Sequence, residues 1–327
     1  MNRRDVLKYA GLSASAALFA SPVYSQSFPS RPIRLVVPFP PGGPTDIFAR
    51  QYGARLATAI GQPVLIDNKA GASGAIGSMD VMRAPADGHT LLFGTASTHA
   101  LYNLIAEKPQ YDSVKNFAHV AILGGAPVVF IAHPSLPPTL KSVLEQARAN
   151  PGKFRYGSPG SGTLMHLAAE RLKREAGGVD IEHIPYKGTG QSKPALLGGQ
   201  VELITDTLGS SLADHKAGRM RILAIAATRR SALLPEVPTV DEALGTRGFE
   251  AVLWNVVAAP EGTPAPVLDA LAAATNKVMS DASLREQLAN LGIEPETGSS
   301  PGAASAYIRS EMTRWKPVID GLGVKLQ

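Results

Sequence analysis

The stretch RPIRLVVPFPPGGPTDIFAR, residues 31–50, decides the fold. Ile33–Phe39 is an apolar run that reads as a strand. Pro40-Pro41-Gly42-Gly43 ends it, and Thr45-Asp46 opens a helical pattern that continues to Ile60. A strand feeding a glycine turn and then a helix start leaves bare backbone N–H groups at the positive end of a helix dipole, which suits a carboxylate or a phosphate. A second such turn, Tyr156-Gly157-Ser158-Pro159-Gly160-Ser161-Gly162-Thr163, lies far along the chain. Two anion-ready turns on separate segments suggest two walls of one cleft.

Outward from these turns, strands alternate with helices. Val64–Asp67, Thr90–Gly94, Phe154–Gly157, Ile181–Pro185, Val201–Thr205, Ile222–Ala226 and Glu250–Ala259 read as strands. Ala75–Arg83, Leu140–Ala149, Thr163–Glu175, Gln191–Leu197, Ser211–Ala217, Pro266–Met279, Ser283–Leu291 and Pro301–Leu322 read as helices. Such alternation implies crossover connections and mostly parallel sheets. Val120–His133 is long, apolar and interrupted by Gly124-Gly125. It and Ile222–Ala226 are expected to cross between two lobes, making the central lobe an insertion.

The N-terminal residues read as an address. Arg3-Arg4 begins a twin-arginine pattern, Ala10–Ala20 is a short apolar core, and Val23-Tyr24-Ser25 offers small residues for cleavage before Gln26. The expected division is 1–25 signal peptide, 26–124 first part of lobe 1, 125–226 inserted lobe 2, and 227–327 hinge return and second part of lobe 1. Without Met1–Ser25, which carries Arg3, Arg4 and Lys8 against Asp5, the formal charge falls from +5 to +3. That surface is mildly basic, with no basic run interleaved with aromatics, so no nucleic-acid partner is expected. The absence of cysteine excludes disulfides, thiolate metal sites and a lipid anchor on cysteine. The expected compartment is the periplasm, for a monomer not embedded in a membrane.

The chemistry-bearing residues leave alternatives open. Gly157–Thr163 has phosphate-loop glycine spacing, but Thr163 stands where that motif needs Lys. Neither Ser158 nor Ser161 fits a nucleophile elbow. What remains is either a cup of backbone N–H groups with the hydroxyls of Ser158, Ser161 and Thr163, or a plain turn with a helix N-cap. Asp46 reads as an N-cap or as an acceptor for a ligand ammonium or hydroxyl. Asp206, at a strand's carboxyl end, starts a turn or meets a ligand. His166 sits in the first turn of its helix, within reach of a ligand or simply packed. Lys187 pairs with an acid or is solvated. Phe39, Pro41, Gly42, Gly43, Ser73, Thr95, Gly160 and Gly162 complete the candidate site. No catalytic residue, metal or cofactor is expected: the pair His166–Glu170 is a weak metal site.

The ordered signposts Arg31-Pro32-Ile33-Arg34, Pro41-Gly42-Gly43 with Asp46 and Ala49-Arg50, Asn68-Lys69, Tyr156-Gly157-Ser158, Gly160-Ser161-Gly162-Thr163 with His166, Pro185-Tyr186-Lys187-Gly188, Gly198-Gly199-Gln200-Val201, Lys216-Ala217-Gly218, Pro235-Glu236-Val237-Pro238-Thr239, Gly262-Thr263-Pro264 and Arg314-Trp315 run through the whole mature chain. In these the chain resembles the tripartite tricarboxylate transporter substrate-binding proteins, also called the Bug family. The resemblance implies an α/β, two-lobed periplasmic binding protein fold (type II-like), each lobe a mostly parallel sheet flanked by helices, with the ligand cleft between lobes. It implies a non-enzymatic receptor for a small organic carboxylate (a di- or tricarboxylate, acidic amino acid or aromatic acid) that delivers it to membrane transporter subunits. It also implies that the turns matching Phe39–Asp46 and Ser158–Thr163 hold the carboxylate, and that Asp206 meets the ligand's far end. Val201–Thr207 carries more polar residues than a purely apolar ligand would call for. Two rival readings remain: an orphan receptor presenting the acid to a sensor kinase, and an exported hydrolase using Ser158 or Ser161.

Overall fold

A computed structural model of the chain describes residues 28–326. The twin-arginine pattern and the cleavage site lie outside the described residues. The strands are β1 (Ile33–Val37), β2 (Val64–Asn68), β3 (Thr90–Thr95), β4 (Phe117–Ala132), β5 (Arg155–Ser158), β6 (Glu182–Pro185), β7 (Leu203–Thr207), β8 (Arg221–Ile225), β9 (Val252–Pro260) and β10 (Glu294–Pro295). They join in the order β2-β1-β3-β9-β4-β7-β5-β6, with β8 and β10 also pairing with β4. The fold is the expected α/β periplasmic binding protein architecture, two lobes flanked by helices.

The outer strands are parallel, as crossover connections require. β1 lies between β2 and β3 in one lobe, and β5 between β6 and β7 in the other. The inner strands run antiparallel to their neighbours. β4 pairs with β9 from Phe117↔Pro260 to Pro127↔Val252, and its later residues pair with β7 and β8. One strand therefore belongs to both lobes. Gly124 and Gly125 do not break it: they pair with Asn255 and Trp254 just past a bulge, where the register shifts between Ile122 and Gly124. Glycine is required at Gly124: φ is +103°, and a Cβ would lie 2.0 Å from the Glu294 carbonyl oxygen.

The return crossing differs from the sequence expectation. β8 pairs with the second-lobe half of β4, from Val129↔Ile225 to Ala132↔Arg221. The capped helix Val240–Leu244 follows, and Val240, Phe249 and Ala251 pack in the same apolar cluster as Leu140, Val143 and Leu164. β9 then makes the return. An apolar five-residue strand looks the same in sequence whether it crosses or stays, so only its partner distinguishes the two cases. Two further elements escaped periodicity. A π-helical turn, Ser97–Leu101, and the short helix Tyr102–Ile105 carry the chain from β3 along the cleft.

The first lobe's core is built from β1, β3 and β9 residues such as Leu35, Phe93 and Val257 packed on Phe48, Tyr52 and Leu271. The largest apolar cluster runs through both lobes. Helix Pro301–Leu322 contributes Trp315 and Ile319, which share it with Leu167 and Leu172 of helix Leu164–Glu175.

Candidate ligand-binding cleft

The first turn forms because Pro44 fixes φ at the first helical position and has no N–H to satisfy, so helix Pro44–Ile60 starts there with Gly43 as N-cap. This rules out the N-cap alternative for Asp46. Asp46 is instead in the first turn, only 2% exposed, and reaches back to accept the Gly42 N–H at 2.9 Å. It also accepts from Arg50 Nε and Asn68 Nδ2, each at 2.9 Å. Burial alone would raise its pKa, but these hydrogen bonds outweigh it and hold the carboxyl below its usual range. The structure places Asp46 as a brace behind the turn. Gly42 needs its φ of +81°, whereas Gly43, at φ −79°, does not sit in the left-handed region. No side chain caps the helix at Gly43, which leaves first-turn N–H groups without a protein acceptor from a cap.

In the second turn most donors are spent internally. Thr163 is the N-cap of helix Leu164–Glu175: its hydroxyl accepts the His166 N–H at 3.4 Å and donates to the Gly160 carbonyl at 2.7 Å. His166 Nδ1 accepts the Gly162 N–H at 3.0 Å. The Ser158 hydroxyl faces inward, 2.7 Å from His183 Nε2, and accepts the Gly160 N–H at 3.2 Å. His166 and His183 stack with ring centroids 4.1 Å apart. Burial lowers the pKa of His166 to about 4 and that of His183 to about 3, the neighbouring His166 adding to the latter. Ser161 lines the cleft, and Ser73 Oγ of the first lobe donates to its carbonyl. Ser73 and its neighbour Ala72 hold φ of 55° and 46°, strained values for residues with a Cβ.

A third helix start, which the sequence reading did not count among the anion-ready turns, joins these two. Gly188, at φ +91°, is the N-cap of helix Thr189–Leu197. A Cβ on Gly188 would lie 3.1 Å from Pro40 Cγ, and one on Gly43 would lie 3.5 Å from Thr189 Oγ1, so the lobes meet here. A cavity of about 60 Å³ is lined by Phe39, Pro41, Gly43, Thr163, Lys187 and Gly188 among others. Three helix N-termini, one from the first lobe and two from the second, thus converge on one carboxylate-sized space. It adjoins a cavity of about 1020 Å³ that shares Phe39, Thr163 and Lys187 and adds Ser73, Gly160, Ser161, Tyr102, Lys108 and Tyr186. No Asp or Glu stands among the described residues lining either cavity.

The remaining sequence candidates fall outside these linings. Thr95 is fully buried, and its hydroxyl has no hydrogen-bond partner. Ser97, two residues on, lines the smaller cavity instead, and its hydroxyl accepts the Leu164 N–H at 3.0 Å. A polar residue just past a strand end was the available signal, and the strand boundary decides which residue it marks. Asp206 is fully buried, with its carboxylate accepting from Thr207 N at 2.7 Å and Ser211 Oγ at 3.4 Å. Burial raises its pKa. Its neighbours Thr207 and Ser210 line a third space of about 200 Å³ that shares Pro44 and Leu253 with the smallest. His166 lies behind the second turn rather than in the cavity.

Known proteins agree with this architecture. The profile of the tripartite tricarboxylate transporter family receptor matches residues 48–324. Protein BugT of Bordetella pertussis is 33% identical over the full length of both chains. Among solved structures, R. palustris Rpa4515 with adipate superposes with a TM-score of 0.87 at 34% identity, covering 91% of this chain and 99% of that one. MatC from Rhodopseudomonas palustris, with bound malate, gives 0.85 at 32% identity, covering 89% and 100%. Among the described residues, no helix is long and apolar enough to cross a membrane. With a matching profile over most of its length and a full-length relative, the chain belongs to the tripartite tricarboxylate transporter receptor family.

Proposed function

We propose that this protein is a periplasmic receptor that binds a small organic carboxylate and passes it, chemically unchanged, to a tripartite tricarboxylate-type membrane transporter. The observation that carries the reading is the convergence of the helix starts at Gly43, Thr163 and Gly188 on one cavity that adjoins Lys187 and no acid. Uncapped N–H groups and helix dipoles favour an anion, and backbone donors match the two oxygens of a carboxylate. Lys108 and Lys187 beside the larger cavity add positive charge. The relatives solved with adipate and malate support the same ligand class. In this reading Phe39, Pro41, Gly43, Ser73, Gly160, Ser161, Thr163 and Lys187 face the ligand. Gly42, Asp46, Ser158, Gly162 and His166 shape the turns from behind, and Thr95 and Asp206 stand further back.

A receptor needs no activated nucleophile. Ser158 and His183 are at nucleophile–base distance, yet Ser158 is fully buried, its hydroxyl turned away from the cavity, and His183 is a very weak base. Export by the twin-arginine route, from Arg3-Arg4, completes the proposal.

A thermal-shift screen of organic acids tests it directly. A ligand at 100 times its Kd should add about 2.7 kcal/mol of stability. Mass spectrometry of the recovered ligand should show it intact. A screen in which no carboxylate stabilises the protein, or a ligand returned as product, would sink the proposal.

A further inference from the structure

Helix Pro301–Leu322 ends at Gly323, which adopts φ 65° and returns its N–H to Ile319. The chain then runs beside Ile105–Glu107. Leu326 N donates to the Ile105 carbonyl at 2.9 Å, and Glu107 N donates to the Leu326 carbonyl at 3.0 Å. The backbone of Leu326 is thereby pinned on both sides to the segment that follows β3 in the first lobe. Its side chain points at the second lobe. A Cβ built on Gly162 would lie 2.4 Å from Leu326 Cδ1 and 2.7 Å from Ile105 Cδ1. Leu326 therefore sits directly over the backbone of the second turn, at a position where any side chain larger than hydrogen would displace it. It also lines the larger cavity beside Tyr102 and Lys108.

We infer that Leu326 is a latch residue for ligand binding: held by the first lobe, it seats on Gly162 of the second and so couples closure of the lobes to the shape of the ligand cavity. The inference rests on the receptor reading above. Its logic is geometric. The segment Ser161–Leu164 is gripped from the first lobe at three points. Ser73 bonds the Ser161 carbonyl, Leu326 and Ile105 cover Gly162, and Ser97 accepts the N–H of Leu164. Two of the three are single hydrogen bonds of ordinary worth. The Leu326 contact is apolar and lies on the wall of the cavity, so it excludes water from the edge of the site as the lobes close. Opening must part Leu326 from Gly162, and a ligand that reaches toward Tyr102 must fit against its side chain.

Interlobe distances test the latch without a ligand. The chain has no cysteine. Spin labels can therefore be placed on Leu65→Cys in the first lobe and Leu197→Cys in the second, both exposed positions. Double electron–electron resonance is recorded without ligand and with malate or adipate as probes. Leu326→Ala should lengthen or broaden the interlobe distances and weaken whichever acid binds by about tenfold, the scale of losing an aliphatic contact at a closing interface. Leu326→Met should restore both. If Leu326→Ala fails to fold, Glu107→Pro removes the N–H that ties the Leu326 carbonyl to the first lobe while keeping the Leu326 side chain, and should open the lobes in the same way. Unchanged distances in a folded Leu326→Ala or Glu107→Pro protein overturn the latch. Should neither acid bind the unsubstituted protein, that result counts against the ligand proposal, and the distances alone decide the latch.

Discussion

Ser97 Oγ in the first lobe accepts, at 3.0 Å, the hydrogen bond of the Leu164 N–H that opens a helix in the second. A helix of one lobe thus has one of its orphan donors satisfied by the other lobe, which links closure to helix capping. Both partners are buried.

Ser97→Ala should therefore act on closure more than on folding. The Leu164 N–H would lose its acceptor when the lobes shut and regain water when they part. A buried donor left unpaired costs about 1–3 kcal/mol. Calorimetry should show ligand affinity reduced roughly tenfold or more, with the ligand-free melting temperature changed little. Equal affinity in the variant would assign Ser97 no part in closure.

The two glycines of the first turn should separate binding from folding. A Cβ on Gly43 has room for itself but faces Thr189 Oγ1 at 3.5 Å across the cleft, so the branches of Gly43→Val would hold the lobes apart. Affinity should fall at least about tenfold, with folding intact because φ is −79°. Gly42→Ala meets nothing within 4 Å but is strained at φ +81°. It should cost about 1 kcal/mol of stability with a smaller effect on binding. Chemical denaturation and calorimetry of both variants check the contrast, and the reverse pattern would misplace the ligand.

Acid should destabilise the second turn through His166 and His183. In the unfolded chain both titrate near 6.5, and burial lowers them to about 4 and about 3 in the fold. The folded state resists protons that the unfolded state takes up. Stability is therefore full above about pH 6.5 and declines as pH falls towards 3. His166 alone would account for about 3 kcal/mol at the low end. His166→Asn, which can still accept the Gly162 N–H, should flatten this decline in urea melts between pH 7 and pH 4. An unaltered slope would locate the acid sensitivity elsewhere, for example in His99 and His119, whose pKa values burial also lowers.

Arg3→Lys with Arg4→Lys should leave precursor in the cytoplasm if the twin-arginine reading is right. Cell fractionation reads this out, and mature protein in the periplasm of the double variant would point to the general secretory route.

The first turn was legible in sequence because its determinants are local: Pro44 starts the helix and Gly42 takes a positive φ, whatever the rest of the chain does. The alternation of strands and helices was legible for the same reason. Ser158 and Ser161 were indistinguishable as letters. Ser158 is the last residue of a strand, and its side chain falls on the face towards His183, whereas Ser161 lies in the turn proper. Ser97, Gly188 and Leu326 gained their roles from the other lobe. Each is an ordinary residue until the chain brings a partner from 67, 148 or 164 positions away, as the Ser97–Leu164, Gly188–Pro40 and Leu326–Gly162 contacts do. The role of Asp46 stayed open, since an acid in the first turn looks the same in sequence whether it caps the helix or braces the preceding loop.

β4 and β9 carry one more consequence. Pro127 and Val252 are register partners, so the second lobe leaves and re-enters the first through two neighbouring strands. Residues 128–251 are in effect a cassette hung on a hairpin stem whose two ends stay adjacent whatever the cassette contains. Exchange of that cassette between family members would transplant two of the three helix starts while preserving the Gly43 turn, and evolution or an engineer could recombine ligand preference at this seam without rebuilding the stem.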